Sequence, residues 1–169
     1  MSPDRPTQLI DRFDRQISYL RLSVTDRCDF RCQYCMAEIM EFLPRSEVLT
    51  IEELLRTARL FTELGVRKIR VTGGEPLIRR GVHELFEGLG ALAGLNSLAL
   101  TTNGSQLAES GHALRDAGVN SINISLDSLQ AERFKAITRI GDLNTVLRGI
   151  DRAVECGFDR IRLNAVILD

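Results

Sequence analysis

Long apolar runs and an excess of one charge are both missing from this sequence. No stretch approaches the roughly 20 apolar residues that a membrane-spanning helix needs, and the opening residues lack the apolar core of a signal peptide. With 22 Lys and Arg against 23 Asp and Glu, the formal net charge is -1, so no general basic field attracts nucleic acid or an anionic membrane. We therefore expect a cytoplasmic protein with neither a nucleic-acid nor a membrane partner.

The composition is that of one globular domain. The 169 residues are 44% hydrophobic, which is enough for a single core, and they contain no internal repeat, low-complexity tract or interdomain linker. Apolar, β-branched segments recur along the chain and predict about five buried strands. These predicted strands cover residues 19–24, 66–71, 97–100, 121–126 and 160–167.

The segments between the predicted strands have the spacing of helices and clear signals at their ends. Thr50 and Glu53 predict a capping box at the start of the first helix. Gly65, Gly118 and Gly157 stand where a helix should end and the next strand begin. Alternating strands and crossover helices predict a parallel sheet, either curled toward a barrel or wound as an open sheet. In both architectures the functional residues lie on the loops that leave the carboxyl ends of the strands.

Three of the four cysteines lie in one short window directly after the first predicted strand. Cys28, Cys32 and Cys35 are separated by three and then two residues, whereas Cys156 is distant. A disulfide framework would spread its cysteines along the chain, so reduced thiolates that hold a metal explain the pattern better. One short loop can wrap three corners of a [4Fe–4S] cube and leave the fourth iron open to an outside ligand.

Two other interpretations of the three cysteines stay open at this point. A zinc ion would need a further ligand, for which His83, His112 and Cys156 are the candidates. Alternatively, the cysteines cluster by chance and are inert. We expect the two histidines to have surface or packing roles, and Cys156 to be a small buried residue.

Two further loops contain residues that could contact a cofactor. In the turn after the second predicted strand, Gly73 and Gly74 would let the backbone approach a ligand closely, and Glu75 could accept hydrogen bonds from an ammonium group. An ordinary turn is the alternative for this segment. Ser125 ends the fourth predicted strand, where its hydroxyl could bind a ligand or simply cap the next element.

The cysteine loop, with Tyr34 before its third cysteine, resembles the signature of the radical S-adenosylmethionine superfamily. Longer segments, residues 19–28, 69–77, 101–104 and 123–129, resemble the GTP 3′,8-cyclase family of molybdenum cofactor biosynthesis. Several motifs in the same order are far more specific than one motif alone.

This resemblance implies a fold and a domain plan. The fold would be α/β, a partial TIM-type (β/α) barrel of the radical S-adenosylmethionine kind, truncated after about five parallel strands. Residues 1–18 would form an N-terminal extension and residues 19–169 an incomplete core domain. The family continues into a C-terminal region that binds a second [4Fe–4S] cluster, so we expect this chain to match the N-terminal half to two-thirds of a longer enzyme.

The resemblance also implies roles for particular residues. It gives the cluster ligands as Cys28, Cys32 and Cys35. It gives the S-adenosylmethionine contacts as Tyr34, Gly74, Glu75 and Ser125. It gives the GTP contacts as Arg21, Arg70, Thr101 and Arg162.

The arginines suit phosphate because their charged, forked donors match its oxygens. Arg162 replaces a lysine of the family, so its contact is a departure from the pattern. The alternative for Arg70 is an exposed basic patch formed with Arg67 and Lys68. Arg21 is either solvated or, because it lies in an otherwise apolar strand, paired with an anion or another partner.

The activity implied is a lyase reaction that converts GTP to 3′,8-cyclo-7,8-dihydro-GTP. In the family, cluster-bound S-adenosylmethionine is cleaved reductively, and the resulting radical abstracts hydrogen from C3′ of GTP before C3′ attacks C8. An electron donor such as a flavodoxin or ferredoxin is implied, and a homodimer stays open. Two alternatives remain: a radical enzyme that modifies a peptide or another small molecule, and a non-catalytic iron–sulfur or S-adenosylmethionine binding module.

Overall fold

A computed structural model describes residues 8–37 and 39–167 of the chain. Among these residues, five parallel strands form one sheet: β1 (Tyr19–Ser23), β2 (Lys68–Thr72), β3 (Ser97–Thr102), β4 (Val119–Ser125) and β5 (Arg160–Asn164). The α-helices are α1 (Ile51–Glu63), α2 (Val82–Gly90), α3 (Leu107–Asp116), α4 (Ala131–Thr138) and α5 (Leu143–Glu155). Each predicted strand is present, with ends that differ from the prediction by a few residues.

The strands lie in the sheet in the same order as in the chain, β1-β2-β3-β4-β5. Each crossover therefore moves to the next neighbour in one direction, and right-handed connections of this kind place their helices on one face of the sheet. A doubly wound sheet would need a reversal of strand order. The fold is an α/β partial (β/α) barrel, as predicted.

The two faces of the sheet differ in chemistry because side chains alternate along each strand. In β2, Ile69 and Val71 are fully buried and pack into the core with residues of the helices, whereas Arg70 between them belongs to the opposite face. The parallel register extends this opposite face across the sheet, where Thr101, Asn123 and Arg162 are neighbours on β3, β4 and β5. We call it the polar face, and the other the helix-covered face.

The predicted signals at helix ends are confirmed. The Thr50 hydroxyl accepts a hydrogen bond from the Glu53 backbone N–H, and the Glu53 carboxylate accepts one from the Thr50 N–H, which completes the capping box of α1. Gly65, Gly118 and Gly157 have φ values of 96°, 90° and 65°, a left-handed conformation that glycine adopts without strain. Each connects a helix to the following strand.

The fourth connection contains two helices where the sequence predicts one. Helix α4 ends at Thr138, and Arg139 follows with φ 63°, a value uncommon for a residue other than glycine. The Arg139 guanidinium donates hydrogen bonds to the carbonyl oxygens of Arg31 (3.0 Å) and Met36 (3.1 Å), so this turn is held against the cysteine loop. The additional helix thus supports the loop that bears the candidate ligands.

The described part of the predicted N-terminal extension, residues 8–18, packs beside the end of α1. Ile10 and Gln16 form an antiparallel bridge, and the Leu9 N–H donates to the Leu64 carbonyl at 3.1 Å. Residues 1–7 lie outside the described residues. In the part of the chain that the structure describes, no helix has both the length and the apolar character needed to cross a bilayer.

Candidate functional site

The cysteine loop follows β1 at the carboxyl end of the sheet and is anchored on α4. The backbone N–H groups of Arg31 and Gln33 donate to the carbonyls of Thr138 and Ile137, both at 3.0 Å. Phe30, only 6% exposed, packs edge to face on Phe134 with ring centroids 5.9 Å apart. These contacts hold the loop backbone against α4.

The three thiols of the loop differ in exposure. Cys28 and Cys32 are half-buried and Cys35 is exposed, and the Cys28 sulfur accepts a hydrogen bond from the Phe30 N–H at 3.3 Å. Burial raises the pKa of Cys28 to about 11 and also raises the pKa of Cys32. Thiolates at these positions would thus need the positive charge of a bound metal centre to be stable near neutral pH.

The donor set fits an iron–sulfur cluster better than a single metal ion. Within residues 8–37 and 39–167, no three His, Cys, Asp or Glu groups converge on a point that one ion could occupy. A [4Fe–4S] cube instead takes each thiolate at a different corner, which three thiols spaced along one anchored loop can supply. A structural zinc ion requires four ligands around one centre.

The residues proposed to complete a zinc site make contacts on the helices. The Cys156 sulfur lies 3.5 Å from His112 Nδ1, at the end of α5, and packs against the core. His83 Nε2 lies 3.4 Å from the Ser110 hydroxyl, between α2 and α3. The zinc interpretation therefore gains no support from these residues. His83 and His112 are exposed, as surface residues would be, whereas Cys156 is half-buried and not buried as predicted.

The glycine turn after β2 is packed against the cysteine loop. A Cβ atom on Gly73 would lie 2.5 Å from the Thr25 carbonyl oxygen, and one on Gly74 would lie 2.2 Å from that of Arg27. Gly73 also has φ 150°. The two glycines are therefore needed for close packing on the backbone of the neighbouring loop, and their close approach to a ligand stays a prediction.

The Glu75 carboxylate is fully buried and hydrogen-bonded on both oxygens. Oε1 accepts from the Leu77 N–H at 2.9 Å and Oε2 from the Asn103 N–H at 2.6 Å, and the Thr102 hydroxyl lies 2.9 Å from each. Burial raises the pKa of Glu75 to about 7, although these donors oppose the shift. Glu75 thus joins the loop after β2 to the loop after β3, and its contact with a cofactor ammonium stays a prediction.

Sequence reasoning missed two residues that join the β3 loop to the cysteine loop. The Asn103 side-chain amide donates to Asp29 Oδ1 at 2.7 Å and lies 3.8 Å from the Cys28 sulfur. The Ser105 hydroxyl donates to Asp29 Oδ2 at 2.6 Å. Polar residues in two loops at the carboxyl end of a parallel sheet were the available signal.

Sequence reasoning also missed a third residue, Asp127, which lies near Tyr34 and Ser125 at the same edge of the sheet. The Tyr34 hydroxyl donates to Asp127 Oδ2 at 2.8 Å, and the Val166 N–H donates to Asp127 Oδ1 at 2.8 Å. Burial, with this hydrogen bond, raises the pKa of Tyr34. Ser125 is the last residue of β4, two positions before Asp127. The structure therefore brings the cysteine loop to the ends of β4 and β5.

Arg70 is the buried cation of the polar face. It is 6% exposed, and its guanidinium donates to the Tyr19 hydroxyl (3.0 Å), the Leu100 carbonyl (3.1 Å) and the Thr101 hydroxyl (3.2 Å). Arg70 is thus not part of an exposed basic patch. Among the described residues it forms no ion pair with a carboxylate, so this positive charge is stabilised only by neutral acceptors.

Arg21 and Arg162 lie on the same face but are exposed. Arg21 is the register partner of Arg70 on edge strand β1, and Arg162 is the partner of Asn123 on β5. Asn123, a residue that sequence reasoning missed, has a buried side-chain oxygen with no hydrogen-bond partner in the described part of the chain. Strand alternation alone would have placed Asn123 on this face.

Comparison with protein families identifies the class. Residues 22–169 match the model of the Radical SAM superfamily. This match covers most of the chain and includes the end of β1, the cysteine loop and the whole of β2 to β5. The chain therefore belongs to the radical SAM superfamily, whose members use a [4Fe–4S] cluster and S-adenosylmethionine.

The curated relatives give a narrower similarity. The chain is 62% identical over 160 residues to the GTP 3′,8-cyclase of Saccharophagus degradans, an alignment that covers 95% of this chain and 48% of the relative. It is also 61% identical over 162 residues to GTP 3′,8-cyclase 1 of Pseudomonas aeruginosa, an alignment that covers 96% of this chain and 49% of that protein. The chain thus spans about half the length of these relatives.

Solved structures agree on the fold alone. Streptococcus suis SuiB bound to the precursor peptide SuiA matches with a TM-score of 0.73 at 19% identity, over 90% of this chain and 33% of SuiB. Coproporphyrinogen III oxidase (HemN) from Escherichia coli, described as a radical SAM enzyme, matches with a TM-score of 0.59 at 15% identity, over 86% of this chain and 35% of HemN.

Proposed function

We propose that this chain supplies the cluster-binding and S-adenosylmethionine-binding part of a GTP 3′,8-cyclase, which converts GTP to 3′,8-cyclo-7,8-dihydro-GTP for molybdenum cofactor biosynthesis. The similarity to proteins of that name supports this choice within the superfamily. The structural observation that supports it most is Arg70, a buried cation without a carboxylate partner among the described residues. A cytoplasmic location and a flavodoxin or ferredoxin electron donor belong to the same proposal.

In this proposal the three thiols of the cysteine loop would hold the cluster, and S-adenosylmethionine would bind next to it. When bound, these groups would supply the reductive cleavage and hydrogen abstraction of the superfamily. Gly74 presents its backbone beside the loop, and Ser125 offers a hydroxyl at the end of β4. Tyr34 is oriented by Asp127, so its ring and backbone can border the cofactor.

The polar face would bind GTP through its arginines. A guanidinium presents several N–H donors, and the neutral acceptors that Arg70 contacts leave its charge uncompensated. A phosphate group would provide the missing negative charge. Thr101 orients Arg70, and Arg21 and Arg162 extend positive charge along the neighbouring strands. These contacts favour a polyanionic substrate over a neutral one.

The test begins with anaerobic reconstitution of the chain with iron and sulfide. We expect the electron paramagnetic resonance spectrum of the reduced cluster to change when S-adenosylmethionine is added, and 5′-deoxyadenosine to form. Cys32→Ala should abolish both results. Cys156→Ala is the matched control and should retain both, because Cys156 packs against helix residues.

The substrate is tested separately by calorimetric titration of the reconstituted chain with GTP and with guanosine. We expect GTP to bind more tightly, and Arg70→Ala to remove most of that preference. A spectrum indifferent to S-adenosylmethionine would contradict the radical function and leave a non-catalytic iron–sulfur module. Equal affinity for GTP and guanosine would contradict the role of the arginines and favour a different substrate.

A further inference from the structure

Asn103 contacts both a candidate cluster ligand and the buried carboxylate behind it. Its side-chain Nδ2 lies 3.8 Å from the Cys28 sulfur and donates to Asp29 Oδ1 at 2.7 Å. Its backbone N–H donates to Glu75 Oε2 at 2.6 Å. Asn103 therefore links the loop after β3 to both the cysteine loop and the glycine turn.

The orientation of the Asn103 amide is determined by its neighbours. The side-chain oxygen accepts a hydrogen bond from the Ser105 N–H at 2.9 Å, so the NH2 group is directed to Asp29 and Cys28. A flipped amide would place its oxygen against the Asp29 carboxylate and lose both bonds. The Ser105 hydroxyl holds the other Asp29 oxygen at 2.6 Å, which keeps that carboxylate in place.

We propose that Asn103 is a positioning residue that donates a hydrogen bond to the Cys28 sulfur in the iron–sulfur protein and thereby raises the reduction potential of the cluster. The inference rests on the proposed function only for the presence of the cluster. Reduction adds negative charge, part of which resides on the ligand sulfurs, and an N–H donor stabilises that charge.

The Asp29 carboxylate has the opposite effect and lowers the reduction potential of the cluster. Its negative charge next to Cys28 disfavours reduction, and the donors on both of its oxygens moderate this effect. Asn103 is the residue of this group that contacts both the carboxylate and the sulfur. Ser105, which contacts Asp29 and the Asn103 oxygen, therefore provides a matched control.

The first test is a redox titration of the reconstituted protein, followed by electron paramagnetic resonance. We expect Asn103→Ala to shift the midpoint potential to a more negative value than in the wild type, and Ser105→Ala to produce a clearly smaller shift. An unchanged midpoint in Asn103→Ala, or an equal shift in Ser105→Ala, would overturn the proposal. Circular dichroism of both variants checks that the fold is retained.

The second test does not depend on whether Asn103→Ala assembles a cluster. Wild-type protein is labelled with 15N only in the asparagine side-chain amides and studied by pulsed electron paramagnetic resonance. The reduced cluster should show a weak 15N coupling, because among the residues that the structure describes Asn103 is the asparagine whose side chain has a hydrogen bond to a thiol. Absence of this coupling would overturn the inference. A cluster indifferent to S-adenosylmethionine that still shows the coupling would contradict the proposed function and leave this inference standing.

Discussion

The two faces of the sheet are built from the same strands but have different tasks. On the helix-covered face, Ile69, Leu100 and Ile122 are fully buried and pack against the helices. On the polar face, Arg70 is buried without a carboxylate partner among the described residues, and the Asn123 oxygen has no hydrogen-bond partner there. The helix-covered face thus buries the apolar surface that stabilises the fold, whereas the polar face holds buried polar groups at some cost to stability.

The largest effect should come from an apolar residue of the helix-covered face. Leu100→Ala leaves a cavity in a fully packed region, so we expect the free energy of unfolding to fall by about 3 kcal/mol. Thr101→Ala, one residue along the same strand, should cost much less, because it removes one hydroxyl contact to Arg70. Urea denaturation measures both values. Equal losses would show that the two faces contribute alike to stability.

Glu75 lies where the sheet meets its loops, and its buried carboxyl group should make the stability of the protein depend on pH. Because burial raises its folded-state pKa from 4.5 to about 7, the folded protein holds this proton more tightly than the unfolded chain. Its contribution to stability is therefore fully present below about pH 4.5 and is lost as pH rises through about 7, by roughly 3 kcal/mol.

Thermal denaturation between pH 4.5 and 8 measures this dependence. Glu75→Gln should be less stable at low pH, because the amide cannot accept all of the present hydrogen bonds, and its stability should vary less with pH. A variant that follows the wild-type pH dependence would assign the titration to another group.

On the polar face, Arg70→Ala should weaken GTP binding more than it weakens the fold. Loss of charge-assisted hydrogen bonds to phosphate corresponds to about 2 kcal/mol, or more than tenfold in affinity. Arg70→Lys should recover part of this loss because the charge remains. Arg59→Ala, an exposed residue of α1, is the control and should bind GTP like the wild type. Isothermal titration calorimetry distinguishes these outcomes.

The smallest effect is expected at Asn123 and has the opposite sign. Its buried oxygen lacks a partner in the described structure, so Asn123→Val should raise the free energy of unfolding by about 1 kcal/mol. Ser121→Val, on the same strand and face, is the comparison for the gain from a β-branched residue alone. If both substitutions stabilise equally, the unpartnered oxygen contributes nothing to the difference between the faces.

Local features were predictable because their causes lie within a few residues. The capping box of Thr50, the left-handed Gly65, Gly118 and Gly157, and the strand positions depend on backbone sterics and side-chain spacing along one segment. The spacing of the cysteines likewise indicates a metal site, because thiols so close in the chain must share one loop. The division of the fourth connection into α4 and α5 was missed, since the unusual conformation of Arg139 is stabilised by contacts with the distant cysteine loop.

By itself, the sequence determined the class of fold, the superfamily motif and the residues that could serve as ligands, because periodicity, glycine positions and cysteine spacing are properties of short segments. Only the tertiary structure decided that Arg70 is buried and that Asn103 reaches Cys28, 75 residues earlier in the chain. The physical reason is that burial and hydrogen-bond partners depend on which strands become neighbours. A parallel sheet brings the ends of strands far apart in the chain to one edge.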